Sequence, residues 1–289
     1  MTDLLLHPKT AERIAAVLSH PPQGLLITGE AGSGKDTMAR SLAAGILELK
    51  PEKLASYPYL HVLDPAENVI TIEAIRDLQQ FLKLKVPTKG SGINRIVIIA
   101  RAERMRSEAQ NALLKTLEEP PAGTCIILTA ASSEQLLSTI TSRCQELAIL
   151  PVGKTQAEEY FSQRGIPAAK LAGNYALSMG QAGLLNALLT DSAHPLKEQV
   201  ELAKSLLGQP ASKRLLQVDF LSKDKDGIRG LLNALRRIAH AGLNTAGSRG
   251  NVASIKQWHE REAAVLQTRE DFERNANAKL LLTNLFLNL

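Results

Sequence analysis

The chain has few aromatic residues, few cysteines and no long apolar run, and each shortage removes a class of function. Phe, Tyr and Trp together make up 3% of its 289 residues, which leaves little to stack on exposed bases. The two cysteines, Cys125 and Cys144, are too few for a disulfide framework or a zinc site. No apolar run approaches the roughly 20 residues a membrane helix needs, so no membrane association is expected. The opening residues MTDLLLHPKT carry an early acid and no basic region, unlike a secretory signal, and a cytoplasmic location is the expectation. Internal repeats and low-complexity tracts are also missing.

What is present describes a globular protein. The hydrophobic share is 44% and the charged share 22%, and the length suits two or three domains, each with its own core. The formal net charge of +5 is unevenly placed. Residues 1–150 hold 16 basic and 16 acidic side chains, whereas residues 151–289 hold 18 and 13. The surplus therefore lies wholly in the second part, where an ordinary solvated helical surface accounts for it better than a dedicated nucleic-acid face.

Strand signals are confined to the first half. Gly24–Thr28, Ile96–Ile99 and Cys125–Thr129 are continuous apolar runs, and Tyr59–Leu63 is a weaker one. Runs of this kind suit strands buried on both faces of a parallel sheet. Helical patterns lie between them: Ile72, Ile75, Leu78 and Leu82 share one face, and a second helix runs from Ser107 to Glu119. Ser107 and Gln110 predict a capping box at its start, and Pro120-Pro121 ends it. After Pro151 the chain reads as helices, with a boundary at His194-Pro195. The last segment, Lys279–Leu289, is too apolar to stand alone in water, so it packs on its own bundle or on a partner.

The most informative stretch is Gly29-Glu30-Ala31-Gly32-Ser33-Gly34-Lys35-Asp36-Thr37. It fits G-x-x-x-x-G-K between a strand and a helix, where backbone N–H groups and a lysine cradle phosphates. The residue after the lysine should carry a hydroxyl for Mg²⁺, and here it is Asp36, with Thr37 one position late. The strand Ile96–Ile99 should be followed by an acid, and Ala100-Arg101-Ala102-Glu103 follows instead. Metal-assisted phosphoryl transfer needs both groups. The expectation is a loop able to take ATP or ADP without splitting it, with no metal site.

The block Ser107–Pro121, reading SEAQNALLKTLEEPP, followed by Ser142-Arg143-Cys144, resembles the sliding-clamp loader family of AAA+ proteins. Within that family the chain looks most like the delta-prime branch of the bacterial DNA polymerase III loader. The resemblance implies an α/β fold: an AAA+ phosphate-loop domain with a parallel sheet over 1–150, a helical lid over 151–193 and an all-α collar over 194–289. It implies that Arg143 acts in trans as an arginine finger on a neighbour's nucleotide, and that Thr129 holds the sensor-1 position. Partners so implied are motor and clamp-opening subunits, the sliding clamp and, through the assembly, primer-template DNA. Two departures stand out. Gly180-Gln181-Ala182-Gly183 has glycine where motor subunits carry the sensor-2 arginine, and residues 45–70 lack the four cysteines of the zinc module found in many relatives. Two other readings compete, an ATP-hydrolysing motor subunit of the loader and a small-molecule or nucleotide kinase. Asp36, Ala100-Arg101 and Gly183 oppose the first. A missing arginine cluster opposes the second.

Overall fold

In the computed structural model, residues 4–65, 69–86, 92–190 and 194–289 are described. They divide into two compact units, 1–152 and 153–289. The sequence-read boundary between lid and collar falls beside residues 191–193, which lie outside the described residues.

The first unit contains strands β1 (Gly24–Thr28), β2 (Leu60–Leu63), β3 (Arg95–Ile99), β4 (Thr124–Ala130) and β5 (Gln145–Ala148). Its helices are α1 (Pro8–Ser19), α2 (Lys35–Ile46), α3 (Pro51–Leu54), α4 (Ile72–Leu82), α5 (Ser107–Glu118) and α6 (Ser138–Thr141). The strands pair in parallel in the order β2-β3-β4-β1-β5. Side chains alternate between two cores. Leu26, Val97, Ile99, Ile126 and Leu128 pack with α4 and α5. Leu25, Ile27, Ile96, Ile98 and Ile127 pack with α1 and α2. All residues of β1, β3 and β4 are buried, which is why these strands read as unbroken apolar runs. β5 is different: Gln145 and Glu146 are exposed on an edge strand, so no such run marks it.

The start of α5 corrects one expectation. Arg106, not Ser107, is the N-cap, with no side-chain cap. Gln110 is buried instead, donating to Met105 O at 3.1 Å and accepting from Leu137 N at 2.9 Å. Its amide joins the helix to the segment after β4, leaving nothing to reach back and complete a capping box.

The second unit is helical: α7 (Lys154–Ser162), α8 (Ala168–Ser178), α9 (Ala182–Leu189), α10 (Pro195–Leu207), α11 (Ala211–Leu215), α12 (Val218–Leu221), α13 (Lys225–Ser248), α14 (Val252–Glu273) and α15 (Ala278–Asn288). Leu282, Leu285 and Phe286 of α15 are buried in the core that α10, α13 and α14 line. The apolar terminal segment thus packs on its own bundle, leaving Leu280 and Leu287 exposed. Arg237 of α13 is fully buried and donates to Ser178 O, at the end of α8, at 2.7 Å. Among the described residues no helix is long and apolar enough to cross a membrane.

Candidate functional site

The carboxyl ends of parallel strands are where open α/β sheets bind ligands, and four loops meet there. β1 ends at Thr28 and the glycine-rich loop carries the chain into α2. Gly32 and Gly34 have φ of 89° and 92°, in the left-handed region where glycine pays no Cβ penalty. Gly29 is held by packing: a Cβ there would lie 2.9 Å from Ser33 Oγ and 3.3 Å from Ile149. The loop therefore has the tight backbone that an anion cradle requires, at the start of a twelve-residue helix.

Its charges are turned inward. Lys35 Nζ donates to Gly29 O at 2.7 Å and to Glu30 O at 3.2 Å, using two of the ammonium's three donors. Burial lowers the Lys35 pKa, opposed by the charges of Glu103, Asp36 and Glu30. Ser33 Oγ is buried and finds no acceptor or donor among the described residues. These features fit a phosphate group: the serine hydroxyl lacks a partner, and the lysine holds only carbonyls that an anion would displace.

The metal side of the site is built otherwise. Asp36 Oδ1 accepts a 3.1 Å hydrogen bond from Thr129 Oγ1, and Thr129 Oγ1 accepts one of 3.0 Å from Arg101 N. Thr129 is completely buried in β4, where its register with Ile27 of β1 brings it against the loop. A single chain of bonds thus joins the residue after the lysine, the sensor-1-like threonine and the end of β3. At the β3 end, where an acid would complete a magnesium cage, Arg101 has φ of 51°. It donates from Nη2 to Asp64 Oδ1 at 2.6 Å and Pro65 O at 3.1 Å. Glu103 follows in a short 3-10 turn with Oε2 buried and unpartnered. Thr37 is exposed on the first turn of α2. No group of three or more His, Cys, Asp or Glu among the described residues could hold a metal ion.

Arg143 lies apart from all of this. It precedes β5, which runs parallel to β1. A Cβ on Gly24, the first residue of β1, would come within 2.7 Å of Arg143 O. The phosphate loop leaves the other end of the same five-residue strand, a span of about 16 Å. Arg143 Nη2 donates to Glu118 Oε1 at 2.6 Å, and Nη1 donates to Thr139 O at 2.8 Å and Ser142 Oγ at 3.3 Å. Its side chain keeps 34% of its surface exposed. Burial pushes the adjoining Cys144 thiol up to about 11 and that of Cys125 up to about 12, so neither is a thiolate nucleophile near neutral pH.

The structure therefore brings Gly29, Gly32, Ser33, Gly34, Lys35, Asp36 and Thr129 together and separates Arg143 from them. In the second unit Gly183 stands in the first turn of α9 and offers no side chain to a nucleotide. Three pairings were not anticipated from sequence: Asp64 with Arg101, Glu118 with Arg143, and Thr129 with Asp36. The only advance sign of Glu118 is its place just before Glu119-Pro120-Pro121.

Comparison with known proteins agrees with the fold and the motifs. Residues 12–153 match the family described as DNA polymerase III, delta subunit. The delta-prime subunit of DNA polymerase III from Pseudomonas aeruginosa is 34% identical over 203 residues, covering 64% of this chain and 61% of that protein. The delta-prime subunit from Escherichia coli is 27% identical over 187 residues, covering 59% and 52%. The matched regions span little more than half the length of these relatives. The structure of a DNA polymerase III gamma subunit-related protein from Thermotoga maritima shares the fold, with a TM-score of 0.54 and 21% identity over 96% of this chain and 97% of that one. The chain is thus similar to clamp-loader proteins with the AAA+ fold, delta-prime subunits of DNA polymerase III among them.

Proposed function

We propose that this chain is a non-hydrolysing member of a DNA polymerase III clamp-loader ring in the cytoplasm, and that it lends Arg143 to ATP bound by a neighbouring subunit. The observation that carries the proposal is the placement of Arg143 at the opposite end of β1 from its own phosphate loop. An arginine side chain does not bridge that strand, so any phosphate Arg143 meets belongs to another subunit. A planar, permanently charged guanidinium suits the charge that develops on a transferred phosphoryl group.

Loss of hydrolysis follows from how Asp36 is used. Its carboxylate stands where a metal-binding hydroxyl belongs and is tied to Thr129, while Ala100 and Arg101 supply no acid at the end of β3. Gly29, Gly32, Ser33, Gly34 and Lys35 would still hold the phosphates of ATP or ADP through backbone N–H groups, the serine hydroxyl and the ammonium. A bound nucleotide would supply charge and shape to the pocket. The partners are the motor and clamp-opening subunits, the sliding clamp, and primer-template DNA contacted through its phosphate backbone within the assembly.

The test is phosphate release by the purified chain, alone and with its partners. The chain alone is expected to release none, and the assembly with Arg143→Ala is expected to assemble but turn over slowly. Magnesium-dependent hydrolysis by the lone chain that is abolished by Lys35→Ala would overturn the reading.

A further inference from the structure

We infer that Glu118 is a positioning residue for Arg143, presetting the guanidinium for the phosphate it meets; the inference rests on the trans role proposed above. Glu118 is the last residue of α5, before Glu119 and Pro120. The carbonyl end of a helix repels an acid, so the helix itself gains nothing from a carboxylate there. What the carboxylate does have is Arg143 Nη2 at 2.6 Å. On the other side Thr139 O, in the short α6, takes Nη1 as well as Ser142 Oγ. The fork is thus pinned between α5 and α6, with Ser142 Oγ as a third acceptor.

The pinning is partial in a useful way. Of the five N–H groups of the guanidinium, Nη1 uses two and Nη2 one, and among the described residues Nε and the second Nη2 hydrogen have no acceptor. Two donors therefore stay available on a plane whose orientation is already fixed. Arginine is long and rotamer-rich, and a fork held before encounter gives up less freedom when it binds phosphate bidentately. The ion pair is half exposed, with Glu118 at 47%, so it is too weak to withhold the arginine from a competing phosphate. Its contribution is orientation.

The experiment uses the complete assembly, with steady-state ATP turnover by the motor subunits as readout. Glu118→Ala is expected to lower kcat about tenfold with KM for ATP unchanged, as misorientation of a catalytic group does. Glu118→Gln keeps an oxygen acceptor and is expected to recover most of that loss. In an Arg143→Ala background Glu118→Ala should have no further effect, since residues acting through one another are not additive. Unchanged or faster turnover by Glu118→Ala, or losses that add in the double variant, would overturn the positioning role. If Arg143→Ala alone leaves turnover unchanged, it is the trans role that fails.

Discussion

The phosphate loop and the Arg143 turn sit at the two ends of β1 and satisfy their charges in opposite directions. At the loop, Lys35 donates to carbonyls of the loop itself and Asp36 is bonded to a fully buried threonine. At the turn, Arg143 is held by three acceptors, stays one-third exposed and keeps donors to spare. One end has the backbone of a phosphate loop, with its lysine and aspartate bonded to the fold itself. The other has a side chain whose backbone is fixed and whose remaining donors face nothing of its own. The difference teaches that a partly buried loop and a partly exposed cation respond to different constraints: the first to packing behind the strand ends, the second to access.

The largest expected effect separates the two ends most sharply. In the assembly, Arg143→Ala should slow ATP turnover on the order of 10³-fold, whereas Lys35→Ala should leave it near the unsubstituted rate. A Lys35→Ala effect as large as that of Arg143→Ala would erase the distinction. Next comes the bond chain behind the loop. Thr129→Val removes the donor to Asp36 and the acceptor for Arg101 N in a buried site, and should cost about 1–3 kcal/mol, read as a lower midpoint in urea. An unchanged midpoint would mean that Asp36 is not held structurally.

A smaller effect comes from the helical unit. His194 caps α10 through Nδ1 to Leu196 N at 3.1 Å, and its pKa is lowered by burial and by the charge of Arg237. The unfolded chain then takes up a proton that the folded chain refuses, so stability is complete above the ordinary value of 6.5 and falls as pH drops below it. The loss is bounded by about 1.4 kcal/mol per pH unit. His194→Asn, which keeps a capping acceptor, should flatten that part of the slope in denaturation curves recorded on either side of this pH. The smallest expected effect is none at all: Asp36→Thr restores a hydroxyl after the lysine, yet should confer no magnesium-dependent ATPase on the lone chain. Arg101 still occupies the strand end, and measurable phosphate release would show that Asp36 was the sole defect.

Much of the first unit was legible in the sequence because β1, β3 and β4 are covered on both faces and so read as unbroken apolar runs. The glycine–lysine spacing of the loop was legible for a similar reason, since local backbone geometry dictates it. The edge strand β5 begins with the exposed Gln145 and Glu146, which hide it. The capping box at Ser107 failed because Gln110 has a stronger claim elsewhere, in its bond to Leu137 N. The pairings that define the site were illegible because they cross the fold: Thr129 and Asp36 are 93 residues apart, and Arg143 and Glu118 are 25 apart. Each is created by parallel register or by two helix ends converging, and neither leaves a local mark.

With no Cβ, Gly24 lets the carbonyl of Arg143 rest directly against the first residue of β1, whose last residue hands over to the phosphate loop. A strand hydrogen-bonded on both sides does not stretch. The strand therefore works as a ruler: it sets the offset between the phosphate loop and the Arg143 turn, and a bulky residue at position 24 would spoil the calibration by pushing on the Arg143 carbonyl.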